Sequence, residues 1–113
     1  MAWQPREERA RVRLDVACEE SGRQVFFSTL NLSASGILLA TAEPPELGRE
    51  IHVVLSLPPD GLFLRMHGQV VRHASRREPS GFAVAFESLD QRTRADLKEF
   101  IRTLRASSEQ ALA

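Results

Sequence analysis

Residues 12 to 19 alternate without a break: Val12, Leu14, Val16 and Cys18 take every second position, with Arg13, Asp15, Ala17 and Glu19 between them. A period of two turns successive side chains to opposite faces of a strand, and it does not fit the 3.6-residue period of a helix. Such a strand needs hydrogen-bonded neighbours, since its own backbone donors and acceptors point sideways. The sequence supplies them. Ser21-Gly22-Arg23 is a turn, and Gln24 to Asn31 can return as the second strand of a hairpin. A short polar stretch, Ser33-Ala34-Ser35-Gly36, leads into the apolar run Ile37 to Thr41, which is too short for a helix. Two prolines in Glu43 to Gly48 remove backbone donors and end the sheet there. Residues 50–57, a break at Pro58-Pro59-Asp60-Gly61, residues 63–72 and residues 81–86 complete a set of six strands. Regular short strands with no helices between them give an antiparallel barrel or sandwich. Ile37, Leu38 and Leu39 are adjacent, so one of them must face outward and needs a cover, from a protein partner or a second copy of the chain.

The period changes at the end of the chain. Leu97, Phe100, Ile101 and Leu104 fall at i, i+3, i+4 and i+7, which predicts a helix over about 90–105. Asp90 stands at its N-cap, and Arg102 and Arg105 lie near its C-terminal dipole end. Residues 107–113 read as a frayed tail, leaving a barrel unit over residues 12–106.

Charge and composition remove several functions. Of 113 residues, 15 are Lys or Arg and 15 are Asp or Glu, so bulk charge does not hold this chain on nucleic acid or an anionic membrane. The aromatic complement of six Phe, one Trp and no Tyr shows no alternating stacking surface for single strands. No run is long and apolar enough to span a bilayer, and Met1 to Glu8 has no apolar signal core, so a cytoplasmic protein without membrane insertion is expected. The single cysteine, Cys18, reads as a small apolar residue on a strand. His52, His67 and His73 each sit alone, with no carboxylate or nucleophile at a recognisable spacing, and read as structural. No paired carboxylates, phosphate loop or nucleophile motif occurs, so the sequence predicts no catalytic residue, no metal site and no enzyme.

What remains is a binding constellation. Arg9, Arg11 and Arg13 precede the first strand, and Asn31, Ser33 and Gly36 follow the second. Antiparallel pairing of the two strands brings these stretches to one end of the sheet, although about 20 residues separate them. Arginine forks match phosphate oxygens and the O6/N7 edge of guanine. Asn31 and Ser33 add neutral hydrogen bonds, and Gly36 offers a positive φ or a close backbone approach.

Arg9-x-x-x-Arg13 followed by Asn31-x-Ser33-x-x-Gly36 resembles the RxxxR and [D/N]xSxxG signature of PilZ domains, bacterial receptors for cyclic di-GMP. The resemblance extends through Pro45-Glu46-Leu47-Gly48, Gly68-Gln69-Val70-Val71, the glycine-led strand Gly81 to Phe86 and the terminal helix. It implies an all-β-dominated fold, a split six-stranded antiparallel barrel with a C-terminal helix. It also implies a flexible ligand loop over residues 1–13 that closes on cyclic di-GMP, the ligand, with no further cofactor. Arg9 and Arg13 would then hold guanine and phosphate, and Asn31, Ser33 and Gly36 would meet base and ribose-phosphate. Arg11 also precedes the apolar alternation, and if it is the second motif arginine, Glu7 takes the first position. With no motif for chemistry or DNA, output must pass through a protein effector. The alternative is a PilZ-like scaffold that binds a protein without nucleotide.

Overall fold

The computed structural model describes residues 9–10, 14–20, 22–57, 62–74 and 80–112. Seven strands and one helix follow in order: β1 (Arg9–Ala10), β2 (Asp15–Glu20), β3 (Arg23–Ser33), β4 (Gly36–Ala40), β5 (Glu50–Leu57), β6 (Leu62–His73), β7 (Gly81–Phe86) and α1 (Gln91–Leu112). All pairings are antiparallel, in the order β3, β2, β5, β6, β7, β4, and β4 pairs back onto β3. The six strands β2 to β7 thus close into a barrel with a C-terminal helix, the predicted architecture.

Alternation fills the interior. Val16, Cys18, Leu32, Ile37, Leu39, Ile51, Val53, Leu55, Met66, Val70, Phe82 and Val84 form one buried cluster, joined by Leu97, Phe100 and Ile101 of α1. Phe27 and Phe82 meet edge to face at 5.3 Å. At Gly81 the β4 backbone approaches so closely that a Cβ would stand 2.1 Å from the Leu39 carbonyl oxygen, so only glycine fits this wall.

Three features add to or depart from the sequence expectation. The first strand, predicted from residue 12, is seen as β2 from Asp15, with residues 11–13 outside the described residues, and a further short strand, β1, pairs with the far end of β3. The Leu14 N–H donates to Thr29 Oγ1 at 2.8 Å while Thr29 N–H donates to Leu14 O at 2.9 Å. The helix runs to Leu112, so most of the expected tail is helical and Arg102 and Arg105 are not in its last turn. No Gly or Pro follows Leu104 to stop it, and Ala106, Glu109, Gln110 and Ala111 are mostly strong helix formers. Finally, Leu38 is 5% exposed within this single chain, so the expected outward leucine needs no partner to cover it. Among the described residues the large exposed apolar side chains are Val25, Phe26, Leu47 and Phe63.

Candidate functional site

The polar motif lies where β3 turns into β4. Ser33 is completely buried, and its hydroxyl donates to the Gly36 carbonyl at 3.4 Å and accepts the Ser35 N–H at 3.3 Å. Ser35 Oγ stands 3.3 Å from Ser33 Oγ, and the Ser35 carbonyl accepts the N–H of Phe86 at 2.8 Å, tying the turn to β7. Gly36 is paired with Ala85 inside β4, and positive φ among glycines falls instead at Gly22 and Gly48. Of the two roles expected of Gly36, the positive φ is therefore corrected, since it lies in ordinary strand conformation, and the close backbone approach is left as the reason for a glycine.

Asn31 sits at an irregular point of the same strand. Thr29 faces Leu39 and Asn31 faces Leu38, so Leu30 is the extra residue of a bulge in β3. The Asn31 side chain is half-buried, and its Oδ1 is buried with no hydrogen-bond partner. An unpaired buried acceptor costs about 1–3 kcal/mol, so this one is available to a donor brought from outside.

The arginine stretch meets this motif through β1. Arg9 stands opposite Ser33 and Ala10 opposite Leu32 in the β1–β3 ladder. The segment expected as a loop is thus in part a strand, held beside Asn31–Gly36 by backbone pairing, and α1 packs against both β1 and β3. Arg11 and Arg13 lie outside the described residues, as does the remainder of residues 1–13.

A family model matches residues 4–103, and its description is PilZ domain. The chain belongs to the PilZ domain family. Solved structures show the same fold at low sequence identity. The PilZ domain of YcgR from Escherichia coli with c-di-GMP is 16% identical at TM-score 0.73, covering 97% of this chain and 98% of that one. The Bacillus subtilis inhibitor of motility MotI (DgrA) is 15% identical at TM-score 0.74, covering 94% of this chain but only 53% of its own. The PilZ domain of CeSA from a cellulose-synthesizing bacterium is 14% identical at TM-score 0.64, covering 86% of this chain and 97% of that one. This PilZ domain therefore spans about half the length of MotI. No curated protein sequence matches it.

Elsewhere on this PilZ domain, two features escaped sequence reasoning. At the barrel end away from Asn31–Gly36, a cavity of about 640 Å³ has a floor of Cys18, Phe27, Ile51 and Phe82 and a rim that includes Arg23 and an Arg49–Glu20 ion pair at 3.1 Å. Burial, helped by the Glu20 charge, pushes the Cys18 thiol up to about 12, so it behaves as the apolar strand residue expected. On the outer face, His67 is not alone. Its Nε2 lies 3.9 Å from Glu50 Oε1 and its Nδ1 3.8 Å from Glu87 Oε1, although 17 and 20 residues separate these positions in sequence. The expectation that His67 stands apart from any carboxylate is corrected; strand register, which periodicity does not reveal, makes the cluster. His73 is structural as expected, with Nε2 donating to Pro45 O at 2.8 Å.

Proposed function

We propose that this PilZ domain is a cyclic di-GMP receptor that holds the dinucleotide between its N-terminal arginines and the Asn31–Gly36 turn. The observation that carries the reading is the β1–β3 ladder, which pairs the Arg9 backbone with Ser33 on the strand that also carries the unpartnered Asn31 Oδ1. Guanidinium forks suit phosphate and the guanine O6/N7 edge, and guanine also presents an N2–H donor that an amide oxygen accepts. Ordering a segment costs about 1–2 kcal/mol per residue, so a chain already paired at Arg9–Ala10 has less to order than a free loop. The mechanism follows: the arginines close on the ligand, and the altered surface is read by a protein effector.

One observation favours a protein-facing surface. Phe26, 66% exposed, Ala17 and Val54 stand in register across β3, β2 and β5, and Phe63, 67% exposed, lies diagonally beyond Val54 on β6. Phe26 and Phe63 are thus exposed on either side of buried Ala17 and half-buried Val54, and this apolar surface suits a partner in the scaffold reading as well.

Isothermal titration with cyclic di-GMP at about 0.15 M salt, where loose phosphate attraction is screened, tests the receptor reading. Saturable binding lost in Arg9→Ala and Arg13→Ala supports it with that register. Loss in Arg11→Ala but not Arg9→Ala moves the motif to Arg11. Flat heats at high protein concentration leave the scaffold reading.

A further inference from the structure

We propose that Glu50, His67 and Glu87 form a binding site for a first-row divalent cation, with zinc as the best-suited ion. The site lies on the outer barrel face and does not depend on the nucleotide reading. Its geometry comes from three strands. His67 on β6 stands opposite His52 on β5, Glu50 is two residues before His52 on the same face, and Glu87 follows β7 directly with its N–H donating to His67 O at 2.8 Å. One ring nitrogen of His67 and one oxygen from each carboxylate lie within 4.8 Å of one another.

The separations of 3.8 and 3.9 Å are too long for hydrogen bonds, so the imidazole is committed to neither carboxylate. One ion takes a single ring nitrogen, and the set of one nitrogen and two carboxylate oxygens within 4.8 Å is what it would draw together. Zinc holds His nitrogen and carboxylate oxygen at about 2.0–2.2 Å, which puts tetrahedral neighbours roughly 3.4 Å apart, so the exposed Glu50 and part-exposed Glu87 side chains rotate inward onto the ion.

Charge and hydrogen bonding point the same way. Among the described residues neither Glu50 nor Glu87 has a Lys or Arg within ion-pair distance, because Arg65, the nearby cation on β6, pairs with Glu19. Glu87 Oε1 is moreover buried with no hydrogen-bond partner. A buried, unpartnered carboxylate oxygen is costly, and a cation beside it offsets that cost. Two carboxylates match the charge of a divalent ion, and the imidazole selects zinc-like ions over magnesium and calcium, which prefer oxygen alone. A groove of about 510 Å³ lined by Glu50, His52 and His67 opens the cluster to solvent. The fourth position is then filled by water or by His52, whose ring centre is 5.0 Å from that of His67.

The test is titration of the metal-stripped full chain with Zn²⁺ by calorimetry and with Co²⁺ by visible absorbance. One saturable equivalent is expected, with a tetrahedral Co²⁺ band. His67→Ala and Glu87→Gln should each weaken Zn²⁺ binding by more than about tenfold, the scale on which even an outer-sphere partner of a metal acts. His73→Ala, which touches only the Pro45 carbonyl contact, should leave the affinity unchanged. Glu87→Gln preserves side-chain size, so its effect is read without loss of the fold. Absence of saturable binding overturns the site, as does binding that Glu87→Gln leaves intact or that His73→Ala weakens equally.

Discussion

The two ends of the barrel are built from the same strands and solve different problems. At the end carrying Asn31–Gly36, β1 and α1 lie against β3, and the polar groups are drawn inward: Thr29 and Ser33 are fully buried and held by local backbone and hydroxyl contacts. At the other end the strands stop at Gly22 and the Pro44-Pro45 connection, leaving an open mouth with an apolar floor and charged side chains on its rim. Burial of polar groups is costly unless they are paired, so the end that accepts this cost and leaves one acceptor unpaired is the one to which the proposed function assigns the ligand. The open mouth has a cavity of about 640 Å³ but, among the described residues, no unpaired buried acceptor in its lining, which teaches that volume alone does not choose a site.

The largest expected effect breaks or sustains this contrast directly. Arg13→Ala should reduce cyclic di-GMP affinity by about tenfold or more, the worth of a lost bidentate contact, while Arg23→Ala at the open mouth should leave it nearly unchanged. Equal losses in calorimetry would put the ligand at the wrong end. Next is rigidity. Gly81→Ala should destabilise the fold by about 3 kcal/mol in urea unfolding, because the added Cβ meets the Leu39 carbonyl and backbone must move. Ser33→Ala, at the motif end, should cost only about 1 kcal/mol, since its contacts are 3.3–3.4 Å long. A Ser33 cost equal to that of Gly81 would show that polar contacts, and not close backbone packing, hold both ends.

A smaller effect concerns the helix. The Asp90 carboxylate accepts the Thr93 N–H at 2.7 Å, and this bond, with help from the Thr93 side chain, holds its carboxyl below the ordinary value. A depressed folded value gives stability that is present above the unfolded value of about 3.9 and is lost as pH falls through the folded one. Asp90→Ala should therefore melt below the parent at pH 7, and the gap should close as the solution is acidified below about pH 4. A gap that persists at pH 2 would assign the effect to something other than this cap. Smallest of all, alkylation of Cys18 by iodoacetamide at pH 8 should be slow in the folded chain and fast in urea, because the thiol stays protonated behind the mouth. Rapid labelling of the folded chain would mean that the mouth opens far wider than its geometry allows.

Much of this architecture is legible in the sequence because hydrophobic alternation reports faces. Residues 50–57 and 81–86 match their strands residue for residue, and the meeting of the arginine stretch with Asn31–Gly36 follows from antiparallel pairing alone. Alternation does not report where a ladder slips. The extra residue at Leu30 breaks the period over a single position, and this slip accompanies the unpaired Asn31 Oδ1. The Glu50, His67 and Glu87 cluster was illegible for a related reason: each lies on a different segment, and only the β5–β6 and β6–β7 registers bring them together. The helix end was missed because it has no stop residue to read.

Closure of the wall has one more consequence. With β4 hydrogen-bonded to β3, every one of the six barrel strands has a neighbour on both sides over part of its length, and among the described residues the longest idle edges are where the long strands overrun their partners, at Arg23–Phe27 of β3 and Leu62–Met66 of β6. Over the closed part of the wall a passing extended peptide finds no row of idle amides to zip onto, which protects that part against fibril-like templating and strand addition. A partner docking there would recognise side chains on a curved, finished surface, whose residues can be rewritten one at a time without disturbing the ladder beneath.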